Sequence, residues 1–397
     1  MLFQIFDSKK ECAYLYKQEQ LYFKKISKDL TKTWSYSELL VDKEVEYAQL
    51  YCQNKTLDEV CPEHLRETWE KVNRKLKAFY RAIAEVGLNL SDFCLHELVS
   101  KSFLIDYGNV KNQICDYVFR RYKKPENYDY LLSLTKVLTE IKNKKLKINS
   151  TALNDQLYKF KTRQFINKVK HMAPYIIYDA HKTKTGRLST KNSFPILTMD
   201  KLYRKILEPN NDWFLELDYN AAELRVMLAL LNKEQPQEDL HKWNLKNVYR
   251  DIGTREEAKK RIFAWLYNPK SKDYLSNRAY NREELLEKYW DGTSVKTYFD
   301  RKIEADEHHA LNYTIQSTAA DLFLRQMIKI WEKLQDRKSY VAFCLHDSLV
   351  IDFSEEDMDI LKELKKIFKD TDLGQFKVNV SVGKNYGKMR KLSICLL

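Results

Sequence analysis

The run Trp213-Phe214-Leu215-Glu216-Leu217-Asp218 ends on a carboxylate, after which Leu224, Val226, Met227 and Leu230 recur at helical spacing. The change of period predicts a strand that turns directly into a helix, with Asp218 fixed at the mouth of a sheet. A carboxylate held there, with the carbonyls that follow it, suits a hard cation. A second stretch, Val341-Ala342-Phe343-Cys344-Leu345-His346-Asp347-Ser348-Leu349-Val350-Ile351, reads as two apolar strands with His-Asp-Ser at the bend. A hairpin apex aimed at a strand end can put Asp218 and Asp347 together. Either residue alone has an ordinary reading as a cap or turn former.

At 397 residues the chain is longer than one compact core usually holds, so several subdomains are expected. A formal charge of +13 favours a polyanionic partner, and runs such as Lys142-Asn143-Lys144-Lys145-Leu146-Lys147 and Lys259-Lys260-Arg261 suit a phosphate backbone. Seven cysteines lie singly at 12, 52, 61, 94, 115, 344 and 395, with neither zinc-type spacing nor an even count. They read as reduced thiols of a cytoplasmic protein. No stretch has the apolar length to span a bilayer, and Met1-Leu2-Phe3-Gln4-Ile5-Phe6-Asp7 is too short for a secretory signal, so no membrane partner is expected.

The first 40 residues hold short apolar runs, Leu2 to Phe6 and Ala13 to Tyr16, that predict a small sheet. After Pro62 the pattern turns helical through Leu76, Phe79, Tyr80 and Ile83. Glu38 to Glu46, which contains Asp42-Lys43-Glu44, reads as a solvated helix of mixed charge. Further on, Tyr130 to Leu138 and Leu157 to Phe160 are amphipathic candidates in lysine-rich surroundings.

Thr254-Arg255-Glu256-Glu257 has the form of a capping box, and Asn268-Pro269 marks the end of the helix it starts. Arg255, Lys259, Phe263 and Tyr267 recur every four residues, so they share one broad face. Two cations followed by two aromatics along one stripe suit a nucleoside triphosphate. An amphipathic stripe is usually core, but cores seldom place Arg and Lys in line with the aromatics. Another helix carries Asn312 and Gln316 one turn apart, then Ser317-Thr318-Ala319-Ala320-Asp321. The adjacent His308 and His309 point different ways and have no further Cys or His to complete a metal set.

Together with Thr185-Gly186-Arg187-Leu188-Ser189-Thr190 and Asp218-Tyr219-Asn220-Ala221-Ala222-Glu223-Leu224-Arg225, these motifs and His346-Asp347 resemble, in order, those of family A DNA polymerases of the polymerase I type. The resemblance covers roughly residues 180 to 390. It implies an α+β right-hand polymerase, with an antiparallel palm sheet, helical fingers and thumb, and a small helix-rich amino-terminal region. The division expected is 1–125 for that region, degenerate exonuclease-like or unrelated, 126–180 for the thumb, 181–240 and 312–397 for the palm, and 241–311 for the fingers.

What the resemblance implies for single residues is specific. Asp218 and Asp347, with the Tyr219 carbonyl, would hold two Mg²⁺ ions, or Mn²⁺ in their place, for phosphoryl transfer. Arg255, Lys259, Phe263, Tyr267, Glu223 and His241 would meet the incoming deoxynucleoside triphosphate (dNTP), with Glu223 excluding a ribose 2′-hydroxyl. Arg187, Asn312, Gln316 and His346 would touch primer-template DNA, Arg187 through minor-groove acceptors common to all correct pairs. Phe263, rather than Tyr, implies poor acceptance of dideoxynucleotides. A processivity factor, a helicase-primase or a separate exonuclease would be the partner proteins. The short chain is similar to bacteriophage members, which would place it in a host cytoplasm.

Several positions depart from the family. Ser348 stands where Glu usually follows His-Asp, Asn268 where Gly follows the fingers tyrosine, and His308 at a position often held by Arg. The segment from Tyr267 to Asn312 is also short for the remaining fingers helices. Three alternatives share parts of the pattern. A single-subunit RNA polymerase lacks a reason for Glu223, a reverse transcriptase lacks this fingers helix, and a non-catalytic primer-template binding protein would not need Asp218.

Overall fold

The alternating runs near the amino terminus form a three-stranded antiparallel sheet of β1 (Gln4–Ile5), β2 (Tyr14–Lys17) and β3 (Gln20–Phe23). Helices α1 (Arg66–Glu85), α2 (Lys101–Arg121) and α3 (Tyr128–Asn143) follow. On α1, Trp69, Val72, Leu76 and Ile83 are buried at three- to seven-residue steps, and the first three make one core with Leu104, Ile114 and Val118 of α2. Ser100 caps α2, its hydroxyl accepting from the Phe103 N–H at 3.3 Å. The computed structural model describes residues 1–191 and 193–392. Its chain divides into two units, 1–145 and 146–397. This boundary falls inside the 126–180 segment, and α3 belongs to the first unit.

Three expectations are corrected in the first unit. Cys12 and Cys94 form a disulfide with their Cα atoms 5.3 Å apart, although 82 residues separate them. The reading of all seven cysteines as reduced thiols therefore fails for this pair; Cys52, Cys61, Cys115 and Cys344 are free and buried, and Cys395 lies outside the described residues. Glu38 to Glu46 is not a solvated helix. A single 3₁₀ turn, Glu38–Leu40, is capped by Ser37, and Glu46–Tyr47 then pairs in parallel with Lys32–Thr33. Burial of Leu40, Val45 and Tyr47 holds the segment down, which a charged surface helix would not allow. Lys142, in the lysine run, is largely enclosed and donates to the Ser8 hydroxyl at 3.0 Å. Burial lowers its pKa, so the run is not a continuous free patch.

The second unit begins with α4 (Phe160–Lys170), which starts three residues later than the Leu157 to Phe160 pattern suggested. Next come β4 (Trp213–Tyr219), α5 (Ala222–Leu230), α6 (Leu240–Asn247), α7 (Arg255–Tyr267), α8 (Tyr274–Tyr280) and α9 (Arg282–Tyr289). A hairpin of β5 (Ser294–Lys296) and β6 (Lys302–Glu304) then leads into the long α10 (Glu307–Lys333). The short stretch between Tyr267 and Asn312 thus spends part of its length on strands rather than on linked helices alone. The chain closes with β7 (Tyr340–Leu345), β8 (Ser348–Phe353), α11 (Leu361–Lys369), β9 (Val378–Gly383) and β10 (Arg390–Lys391).

The five-stranded sheet has the order β7-β8-β4-β9-β10, every neighbour antiparallel. In β4 the side chains alternate. Leu215, Leu217 and Tyr219 are fully buried, and Tyr219 stacks on Phe368 of α11 with ring centroids 4.3 Å apart. On the other face Glu216 and Asp218 are only half-buried. The fold class is α+β, as expected. Among the described residues no helix is long and apolar enough to cross a membrane.

Candidate active site

The strand register brings the two carboxylates together. Asp218 lies opposite Ser348, the residue after Asp347, and opposite Asn379 on its other side. His346 and Asp347 form the whole turn between β7 and β8, and His346 takes a positive φ of 58° to make it. Burial, then the nearby Asp347, pushes the Asp218 carboxyl up to about 7, although Asn379 donates to it at 3.1 Å. Burial also raises the pKa of Asp347, with Glu223 adding to the effect.

Two desolvated carboxylates with this mutual repulsion are a donor pair that a divalent cation would relieve. Among the described residues no group of three or more His, Cys, Asp or Glu is placed to hold a metal. The pair nonetheless fits Mg²⁺, which is commonly held by one or two carboxylates with substrate phosphates and water completing its shell.

The capping box at Thr254 is complete. The Glu257 carboxylate accepts from the Thr254 N–H at 2.7 Å, and the Thr254 hydroxyl accepts from the Glu257 N–H at 3.3 Å. The helix it starts buries Ala258, Ile262, Trp265 and Leu266. The stripe falls on the adjoining, more open side, with Lys259 exposed, Arg255 and Phe263 half-buried and Tyr267 46 % exposed. Phe263 and Tyr267 stack with centroids 5.9 Å apart. Both line a cavity of about 270 Å³ that also takes in Arg187, Glu223, His346 and Asp347.

Within that cavity Glu223, in the first turn of α5, is shared. One carboxylate oxygen accepts from Arg187 and the other from the Tyr267 hydroxyl, which Gln316 of α10 also reaches. Asn312, one turn before Gln316, instead lines a separate cavity of about 630 Å³ beside α8 and α9. The Tyr219 side chain points into the core and donates to the Phe368 carbonyl at 2.7 Å, so only its backbone is left for a ligand. His241 is buried, its ring 5.8 Å from that of Phe263, and burial pulls its pKa down to about 4. At neutral pH it is an uncharged imidazole that can hydrogen-bond a phosphate but not neutralise one.

Some contributors to the site have roles that the sequence reading did not assign. Asp239 caps α6 and holds Arg255 in a fork, at 3.1 and 2.8 Å. The Arg255 guanidinium beside it holds the Asp239 carboxyl well below the usual range against the opposing effect of burial. Ser348 donates to Glu216 at 2.8 Å, so the carboxylate absent after His-Asp has a neighbour two residues before Asp218 on the same strand face. That alternation was open to the sequence reading. Arg301 pairs with Asp321 at 2.5 and 3.0 Å and lies against Gly186, where a Cβ would meet its guanidinium at 2.6 Å. With φ at +75°, only glycine suits the turn that presents Arg187.

Comparison with known proteins adds three findings. The profile of DNA polymerase family A matches residues 293–390. DNA polymerase I of Borreliella burgdorferi is 24 % identical over 359 aligned residues, covering 73 % of this chain and 39 % of its own length. That of Caldicellulosiruptor bescii is 27 % identical over 238, covering 46 % and 28 %. The chain thus spans less than two fifths of the length of these relatives. Among solved structures, the POL domain of Pol1 from M. smegmatis, in complex with DNA primer-template and dNTP, superposes with a TM-score of 0.59. That match covers 87 % of this chain and 82 % of the other at 14 % identity, a likeness of fold.

Proposed function

Because the chain belongs to DNA polymerase family A, we propose that it is a DNA-directed DNA polymerase adding deoxynucleotides to a primer 3′ end, without proofreading. The observation that carries this is the register that sets Asp347 beside the cross-strand partner of Asp218, at the edge of a cavity walled by Phe263 and Tyr267. The palm would be 181–240 with 312–397, the fingers 241–311, and the thumb 126–180.

Asp218, Asp347 and the Tyr219 carbonyl would hold two Mg²⁺ ions, or Mn²⁺, which when bound supply activation of the primer hydroxyl and charge stabilisation of the departing pyrophosphate. Lys259 presents an exposed ammonium to the triphosphate, and Arg255 adds charge from the same face while Asp239 fixes its orientation. Neutral His241 offers a hydrogen bond. Phe263 and Tyr267 give the sugar and base an aromatic wall. Glu223 narrows the cavity where a 2′-hydroxyl would enter, favouring deoxynucleotides. Arg187, Asn312, Gln316 and His346 would contact the primer-template.

Primer extension with Mg²⁺ tests the reading. Wild type should extend a matched primer, whereas Asp218→Ala and Asp347→Ala should not. Persistence of a mismatched terminal base is the expected result for a chain without proofreading. Full activity of both variants would overturn the assignment.

A further inference from the structure

Outside the cavity, one surface segment combines features that a solvated loop has no need of. From Leu157 to Lys170 the chain carries Lys159, Lys161, Arg163, Lys168 and Lys170 and no acid. Within it Tyr158 is 72 % exposed and Phe160 64 % exposed, and neither ring stacks on another aromatic among the described residues. The cations are interleaved with the rings. The Lys159 ammonium lies 5.4 Å from the Tyr158 centroid and the Arg163 guanidinium 6.0 Å from that of Phe160.

The segment is also braced. Arg163 donates to the carbonyls of Leu157 at 2.6 Å and Tyr158 at 3.1 Å, tying the turn that presents both rings. Below it α4 is anchored by buried Thr162 and Val169 and by Phe165, which stacks on Tyr203 at 4.2 Å. Aromatic groups held in place before binding lose little conformational freedom when a ligand arrives.

We propose that Leu157 to Arg163 is a contact for single-stranded nucleic acid, with Tyr158 and Phe160 stacking on unpaired bases and Lys159 and Lys161 against the adjoining phosphates. The alternation of ring and cation matches the alternation of base and phosphate, and the absence of any acid fits a polyanion better than a mixed-charge protein face. None of these residues lines the cavity at Asp347, so the contact is additional to the proposed active site and does not depend on its chemistry.

The test is fluorescence anisotropy of the full chain with a labelled oligo-dT of about 16 nucleotides, a length within known single-strand site sizes. Tyr158→Ala and Phe160→Ala should each weaken binding by on the order of fivefold or more. Tyr158→Trp should retain it, which separates stacking from misfolding. The Lys159→Ala, Lys161→Ala double variant should flatten the slope of log affinity against log salt by about 1.4. Affinity for a blunt duplex should be unchanged by the aromatic truncations. Wild-type affinity for oligo-dT in the Tyr158→Ala, Phe160→Ala variant, or equal losses for single strand and duplex, would overturn the proposal. Loss of primer extension in Asp218→Ala is read separately, so failure of one reading leaves the other standing.

Discussion

Asp218→Asn should stabilise the metal-free protein at neutral and alkaline pH. In the folded chain the Asp218 carboxyl, pushed up to about 7 by burial and by Asp347, keeps its proton across a range in which the unfolded chain, near the ordinary 3.8, has released it. The folded state then binds more protons than the unfolded state, so the unfolding free energy falls as pH rises between about 4 and about 7. Below that window both states are protonated and the effect disappears. Above it the penalty is complete. Roughly three pH units at 1.36 kcal/mol each set an upper bound of about 4 kcal/mol. Partial exposure of Asp218 and its coupling to Asp347 bring the expected gain nearer to about 2 kcal/mol. The asparagine can still accept from Asn379, so that hydrogen bond is not lost. Thermal unfolding in EDTA at pH 5, 7 and 8.5 is the assay, with a rise in Tm on the order of 4 °C expected at pH 8.5 and little at pH 5. Mg²⁺ should close the gap by stabilising wild type alone. A variant no more stable than wild type at pH 8.5 would refute the account of the paired carboxylates.

Three further outcomes follow from the stripe and its surroundings. Thr254→Ala removes half of the capping box and should cost about 1 kcal/mol of stability, read by urea denaturation, with a higher KM for dNTP and little change in kcat. Phe263→Tyr adds a hydroxyl at the sugar position and should raise dideoxynucleotide incorporation relative to deoxynucleotide by roughly five- to tenfold, the value of one hydrogen bond; equal incorporation by the wild type would contradict it. Glu223→Ala should raise the ratio of ribo- to deoxynucleotide incorporation at least about tenfold, equivalent to 1.4 kcal/mol of lost exclusion, measured by single-nucleotide extension.

The sequence disclosed those parts of the site that depend on local period. The apolar run ending at Asp218, the cap at Thr254 and the four-residue spacing from Arg255 to Tyr267 each write their geometry within about a dozen residues, and the structure has a strand, a complete capping box and an open helix face there. The hairpin around the 346–347 turn was also legible, since two apolar runs around a two-residue bend leave little choice, but its pairing with the strand of Asp218 was expected only through the resemblance. Contacts between distant positions were not. Nothing near Cys12 marks Cys94, and Asp239 meets Arg255 only because α6 and α7 start side by side. The Glu38 to Glu46 reading failed because charge patterning reports solvent exposure, while Leu40, Val45 and Tyr47 were enough to pin the segment to the core.

The hydrogen bonds around Glu223 explain how a helix on one side of the cavity can respond to what enters it. Both carboxylate oxygens are already used, one by Arg187 from the turn at Gly186 and one by Tyr267 from the end of α7. Under the proposed function a sugar that approaches Glu223 would compete with Tyr267, because the turn at Gly186 that carries Arg187 is backed by Arg301 and its partner Asp321. Freeing Tyr267 breaks one bond to a charged group, about 1.5–3 kcal/mol, while leaving the Glu223 charge compensated. Under the proposed function that cost is small enough for the triphosphate contacts of Lys259 to offset, yet large enough to keep α7 tethered when the cavity is empty. On that proposal the side that yields would be α7, and the turn carrying Arg187 would stay in place for the primer-template.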